Sequence, residues 1–145
     1  MPRLKLAPLE RYGFAVELSV RVTDLNFAGH LGNDRLLSLV HEARVAFLAD
    51  AGLAERDDEG GLLLVGDTAV VYLGEAFAGD RLRFEVAAGE PTSRGLRLFY
   101  RVSRVADDAA IALVETGLVC FDQARRETCG LPSRLRALCA DPTRG

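Results

Sequence analysis

The chain has 145 residues, 49% of them hydrophobic and 27% charged, with a formal net charge of -3. That is the material of one soluble domain, expected to span residues 1–145, with a sizeable core. Slight acidity argues against nucleic acid as a partner, and no stretch approaches the roughly 20 apolar residues of a membrane span.

The N-terminal run Met1-Pro2-Arg3-Leu4-Lys5-Leu6 lacks the long apolar segment of a signal peptide. Cys120, Cys129 and Cys139 are an odd number without paired CxxC spacing, which fits neither a zinc site nor a disulfide framework. Reduced thiols and a cytoplasmic location are expected.

Phe14, Val16, Leu18, Val20 and Val22 alternate with shorter or polar residues, which predicts a strand with one buried face. After it, the stretch from Thr23 to Asp34 gathers carboxylates, carboxamides, a histidine and two glycines, the densest polar chemistry in the chain. Asn33 or Asp34 offers an N-cap for the helix that follows. There Leu36, Val40, Ala43, Phe47 and Ala51 recur at helical spacing, and Leu37, Leu39 and Leu48 widen the stripe. A helix apolar over more than half its circumference is enclosed by other elements. Gly52 suits the C′ position.

Residues 55–61 read as a charged loop. Leu62 to Leu73 is a strand long enough to be central, with Gly66-Asp67 a bulge or site position. Gly79-Asp80 turns into Leu82, Phe84 and Val86. Thr92-Ser93-Arg94-Gly95 is a hairpin loop before Leu96, Leu98, Tyr100 and Val102. Asp107-Asp108 precedes a last long strand from Ile111 to Phe121. Pro132 or Ser133 begins a short terminal helix with Leu135 and Leu138, within an extension over residues 122–145. The economical assembly is α+β: an antiparallel sheet of about five strands around one long helix. One sheet cannot cover such a helix on all sides, so a homodimer is expected.

The run Asp24-Leu25-Asn26-Phe27-Ala28-Gly29-His30-Leu31-Gly32-Asn33, followed on the helix by Glu42-Ala43-Arg44, resembles the signature of hotdog-fold acyl-CoA thioesterases of the 4-hydroxybenzoyl-CoA thioesterase type. Element order agrees with that family from about Phe14 to Phe121. The resemblance implies hydrolysis of an acyl-CoA or acyl-carrier-protein thioester, a continuous sheet across a dimer, and assembly into tetramers in many members. It implies an oxyanion donor near Gly32 and Asn33. His41-Glu42 is not the HExxH pattern, so no metal site is expected, nor any cofactor. Where the family carries its second aspartate, this chain has Asn26.

Thioester hydrolysis needs an attacking group and a stabilised oxyanion. Asn26 is neutral and is no base, but it can orient water or bond the carbonyl. Asp24 either attacks or pins the loop through backbone N–H groups. Glu42, at the edge of the apolar stripe, is either a partly desolvated base or the partner of Arg35 or of an arginine from a second subunit. His30 serves as general acid, as a carbonyl donor or as a loop brace. Arg44 falls within the stripe and requires a partner. His41 reads as a surface or interface residue.

By likeness to relatives, Arg94 in its hairpin contacts CoA phosphates, and Arg125-Arg126 is a second basic pair for that role. Phe47, Tyr72, Phe77 and Phe99 are candidates for the acyl pocket or for plain packing. Two other functions stay open: a non-catalytic acyl-CoA-binding module, favoured by Asn26, and a dehydratase using His30 with Glu42.

Overall fold

A computed structural model of the chain describes residues 3–57 and 59–140. Met1, Pro2, Asp58 of the 55–61 loop and residues 141–145 of the expected extension lie outside the described residues.

Period-two patterning becomes strands throughout: β1 (Phe14–Ser19), β2 (Gly61–Tyr72), β3 (Arg81–Gly89), β4 (Gly95–Arg104), β5 (Ala110–Asp122) and a two-residue β6 (Glu127–Thr128). They form one antiparallel sheet in the order β1-β3-β4-β5-β2, with β6 paired to β5. The expectation of about five strands holds, and β6 is the small addition. A left-handed Arg126 (φ 58°) makes the tight turn before it.

The first strand is shorter than its alternation predicts. It stops at Ser19, and Val22–Asp24 winds into a 3-10 turn. The Asp24 carboxylate accepts the Arg21 backbone N–H at 2.9 Å, which closes the turn locally and ends the extended run.

The long helix α1 (Asn33–Asp50) lies across the inner face of the sheet. Leu36, Leu39, Val40, Ala43 and Leu48 pack against Leu82, Phe84, Val86, Leu98, Tyr100, Val102, Val114 and Leu118, all buried. Each large side chain so buried contributes about 1.5–3 kcal/mol. The helix ends as Gly52 predicts. With φ 73°, Gly52 donates to Ala49 O at 2.9 Å, and Leu53 donates to Leu48 O at 2.8 Å, the bonding pattern of a Schellman motif. Enclosure is one-sided in the single chain, because Leu37 and Val45 are exposed on the remaining face.

At the start of the helix the structure differs from the sequence reading. The N-cap is Gly32, with no side-chain cap, and Asn33 and Asp34 are the first helical residues. Gly32 donates to the Asp24 carbonyl at 2.9 Å, which seats it before the first turn. A short helix α2 (Ser133–Ala137) begins after Pro132 and buries Leu135, as expected.

Strand β2 is an edge strand carrying a bulge between Val65 and Asp67. Arg97 spans the outer face beside it, bonded to Asp67 at 2.8 Å and Glu115 at 2.7 Å. No described helix is long and apolar enough to cross a membrane.

Candidate active site

The loop between β1 and α1 is held by its own side chains. Asp24 is fully buried, and both carboxylate oxygens accept the Arg21 guanidinium, at 3.1 and 3.0 Å, in addition to the Arg21 backbone N–H. The guanidinium bond holds the Asp24 carboxyl below the usual carboxylate range, against the opposing effect of burial. Of the two readings of Asp24, this geometry is that of the pin.

Asn26 shapes the next turn. Its Oδ1 accepts the Ala28 N–H at 3.0 Å and the His30 N–H at 3.2 Å, and its own N–H donates to the His30 carbonyl at 2.7 Å. The side-chain oxygen is thereby occupied, and the Nδ2 donors are the end left for other groups.

His30 is half-buried beneath this turn. Leu31 N–H donates to the Ala76 carbonyl at 2.8 Å, tying the loop to the connection between β2 and β3. That tie brings Glu75 to His30, with Nδ1 and Oε1 separated by 3.6 Å. Phe77 meets the imidazole edge-on with centroids 5.4 Å apart. Glu75 is the residue that sequence reasoning missed. Nothing in local spacing joins positions 30 and 75; the only signal is a carboxylate in the short connection leaving a strand that ends beside the helix start.

Helix α1 supplies the amides. Asp34 N–H is taken by Asn33 Oδ1 at 2.9 Å and Leu36 N–H by Gly32 O at 3.0 Å, whereas Asn33 N–H has no hydrogen-bond partner among the described residues. It sits at the positive end of the helix dipole. Tyr72 donates its hydroxyl to the Asn33 carbonyl at 3.0 Å, bracing that turn from the end of β2. Burial raises the Tyr72 pKa, with Asp34 adding to the effect, so the phenol stays a donor.

Other expected site residues lie elsewhere. Glu42 is exposed in the single chain, so the partial desolvation expected of it is not met there. Nine residues beyond Asn33, it falls half a turn round the helix, on the face of Arg35, and its charge is felt by Arg21. No residue lies within ion-pair distance of it among the described residues. Arg44 is buried and does find partners: Nε donates to Glu55 Oε2 at 3.2 Å and NH1 to the Tyr100 hydroxyl at 3.4 Å. His41 is exposed, with Nε2 2.7 Å from the other Glu55 oxygen.

Arg94, Arg125 and Arg126 gather at one corner. Arg94 NH1 donates to the Thr128 carbonyl at 3.0 Å and its hydroxyl at 2.6 Å, Arg125 lies 3.9 Å from Glu127, and Arg126 stacks over Phe121. This corner is at the α1 C-terminal end, where Gly61 pairs with Asp122. An 18-residue helix separates it from the loop of the same chain by about 27 Å. The four aromatic candidates likewise divide. Tyr72 and Phe77 border the loop, Phe47 packs edge-on against Phe14, and Phe99 lies on the outer face against Gly89.

The profile of the Thioesterase-like superfamily matches residues 20–138. A 1,4-dihydroxy-2-naphthoyl-CoA hydrolase of Synechococcus elongatus is 30% identical over 121 residues, covering 81% of this chain and 88% of the relative. Among solved structures, a 1,4-dihydroxy-2-naphthoyl-CoA thioesterase from Synechocystis superposes with a TM-score of 0.82 at 21% identity, over 91% of this chain and 98% of that one. A Staphylococcus aureus protein solved in complex with CoA gives a TM-score of 0.79 at 16% identity, over 91% and 85%. The sheet order accords with those folds, and the chain belongs to the Thioesterase-like superfamily and is a thioester hydrolase of hotdog fold.

Proposed function

We propose that the protein hydrolyses the CoA thioester of an aromatic acid, with the thioester carbonyl oxygen received by the Asn33 N–H. The unpaired Asn33 amide at the helix N-terminus is the observation that carries this reading. One such donor is worth about 2.7–4 kcal/mol in the transition state. The 1,4-dihydroxy-2-naphthoyl-CoA hydrolase activity of the relatives supports an aromatic acyl group.

His30, steered by Glu75, is the base in this reading. It takes a proton from water, and the hydroxide oxygen adds to the thioester carbonyl carbon. The tetrahedral intermediate then breaks its C–S bond, and the CoA thiolate recovers the proton. Asn26 Nδ2 donates to the attacking water or the carbonyl oxygen.

A dimer completes the arrangement. The free edge of β2 is long and carries the exposed residues Leu64, Val65 and Tyr72, an invitation to strand pairing. Antiparallel pairing of two β2 edges sets the Gly61 end of one chain beside the Tyr72 end of the other. The Arg94, Arg125 and Arg126 corner of one protomer then lies near the loop of its partner, where CoA phosphates require positive charge.

The test is release of CoA, followed with a thiol reagent, from 1,4-dihydroxy-2-naphthoyl-CoA, benzoyl-CoA and alkanoyl-CoA esters. Turnover of an aromatic ester, lost in His30→Gln, is expected. Saturable binding of CoA esters without turnover of any of them would replace this reading with a binding module.

A further inference from the structure

A second group of polar side chains lies apart from the loop. A cavity of about 290 Å³ opens between α1, β2 and β5. Leu37, Val40 and Val65 give it apolar walls, and Arg44, Thr68 and Thr116 give it a polar one. It is just below the volume of about 300 Å³ at which small-molecule pockets begin, which suits one or two fused rings and not a long alkyl chain.

Its position follows from the helix. Leu37, Val40 and Arg44 succeed Asn33 at i+4, i+7 and i+11, along one stripe of α1. The cavity therefore begins about 6 Å below Asn33 and ends at Arg44, about 16 Å away. Thr68 and Thr116 are directly paired across β2 and β5, so their side chains stand together on that face.

The polar wall is rich in donors. The Arg44 side chain is only 7% exposed, with Nε on Glu55 and NH1 on the Tyr100 hydroxyl. No hydrogen bond engages NH2, yet no side-chain polar atom among the described residues is both fully buried and unpaired. NH2 therefore keeps some solvent access, and Arg44 is one of the residues that line the cavity. Tyr100 lies 2.9 Å from Thr116 Oγ1. Tyr100 accepts from Arg44 and either hydroxyl can donate to the other; when Tyr100 donates, the Thr116 proton is free to point into the cavity. Glu55 balances the arginine charge, so the wall suits a neutral or weakly acidic oxygen.

We infer that this cavity receives the aromatic ring of the acyl group and that Arg44, with Thr116, reads an oxygen substituent on that ring. The inference rests on the aryl-CoA hydrolase reading above and adds to it the residue that sets specificity. A ring without the oxygen leaves buried donors unpaired on binding, the situation in which polar sites discriminate most strongly.

Binding of the free acids separates this inference from the hydrolase reading. Calorimetry on the full chain compares 1,4-dihydroxy-2-naphthoic acid with 2-naphthoic acid. The wild type is expected to bind the dihydroxy acid at least about tenfold tighter, and Arg44→Lys to lose most of that preference, because the planar fork is gone while the charge remains. Equal affinities in the wild type, or a preference unchanged in Arg44→Lys, would overturn it. Thr68→Phe fills the cavity from an exposed strand position and covers the case of an Arg44 variant that does not fold. It should weaken both acids at least about tenfold, and unchanged binding in it also counts against the inference. Failure of every CoA ester to turn over, with the binding preference intact, would remove the hydrolase reading alone.

Discussion

Asp24 and Arg21 hold each other through a side-chain pair of 3.1 and 3.0 Å, and the carboxylate is fully buried beneath it. The carboxylate closes the turn that ends β1, and the Asp24 main-chain carbonyl seats Gly32. Asp24→Asn should cost about 1 kcal/mol of stability, the usual worth of a buried hydrogen bond, while kcat changes little. The depressed carboxyl also fixes a sign. Its stabilisation is complete above the ordinary aspartate range and is lost as the pH falls below it. Urea unfolding at pH 7 and pH 3 should therefore show a smaller acid loss in Asp24→Asn than in the wild type.

If Glu75 steers His30, its effect belongs to kcat. His30→Gln should lower kcat by about 10²-fold or more, the scale of general-base catalysis. Glu75→Gln should lower it about tenfold with KM unchanged, and Glu75→Asp should restore part of the loss. Steady-state kinetics on one aryl-CoA ester reads all three. A Glu75→Gln enzyme with wild-type kcat would leave His30 acting alone.

Asn26→Asp keeps the oxygen that accepts the Ala28 and His30 amides. Stability should move by no more than about 0.5 kcal/mol, as for an exposed substitution that preserves its bonds. The substitution removes the Nδ2 donor but sets a carboxylate base beside the His30 turn, and kcat should rise because activating water outweighs one lost hydrogen bond. Thermal unfolding and CoA release on the same preparation test both halves.

Burial pushes the Cys120 thiol up to about 11, with a further push from neighbouring Cys129. Little thiolate exists at pH 8, so native Cys120 should resist iodoacetamide over hours and react at once in urea. Mass spectrometry of the alkylated peptides would read the difference.

Most of the fold was legible because its core alternates cleanly. Leu82, Phe84 and Val86, like Leu98, Tyr100 and Val102, can only be one-faced strands, and Gly52 could only end a helix. The loop was legible as a cluster of types but not as roles. Whether Asp24 pins or attacks depends on Arg21 bending back upon it, and a three-residue 3-10 turn overrode the strand alternation there. Glu75 was invisible because a contact across forty-five positions leaves no trace in spacing. The exposure of Glu42 in the single chain was not legible either, since a helical wheel gives an angle but not what stands opposite.

The bulge in β2 bears on how this chain can vary. Leu63 and Val65 pair with Cys120 and Leu118 on the face toward α1; beyond the bulge Thr68, Val70 and Tyr72 take over that face, and Asp67 turns outward to Arg97. Removing Gly66 would take out the extra residue and leave strict alternation, with Val65 and Thr68 still toward α1 and Asp67 still outward. An inserted residue in the same place would instead send either Asp67 toward Arg44 or Leu63 away from the core. Strand β2 therefore has a one-sided tolerance: it can lose its bulge and keep the cavity lining, whereas one added residue exchanges it.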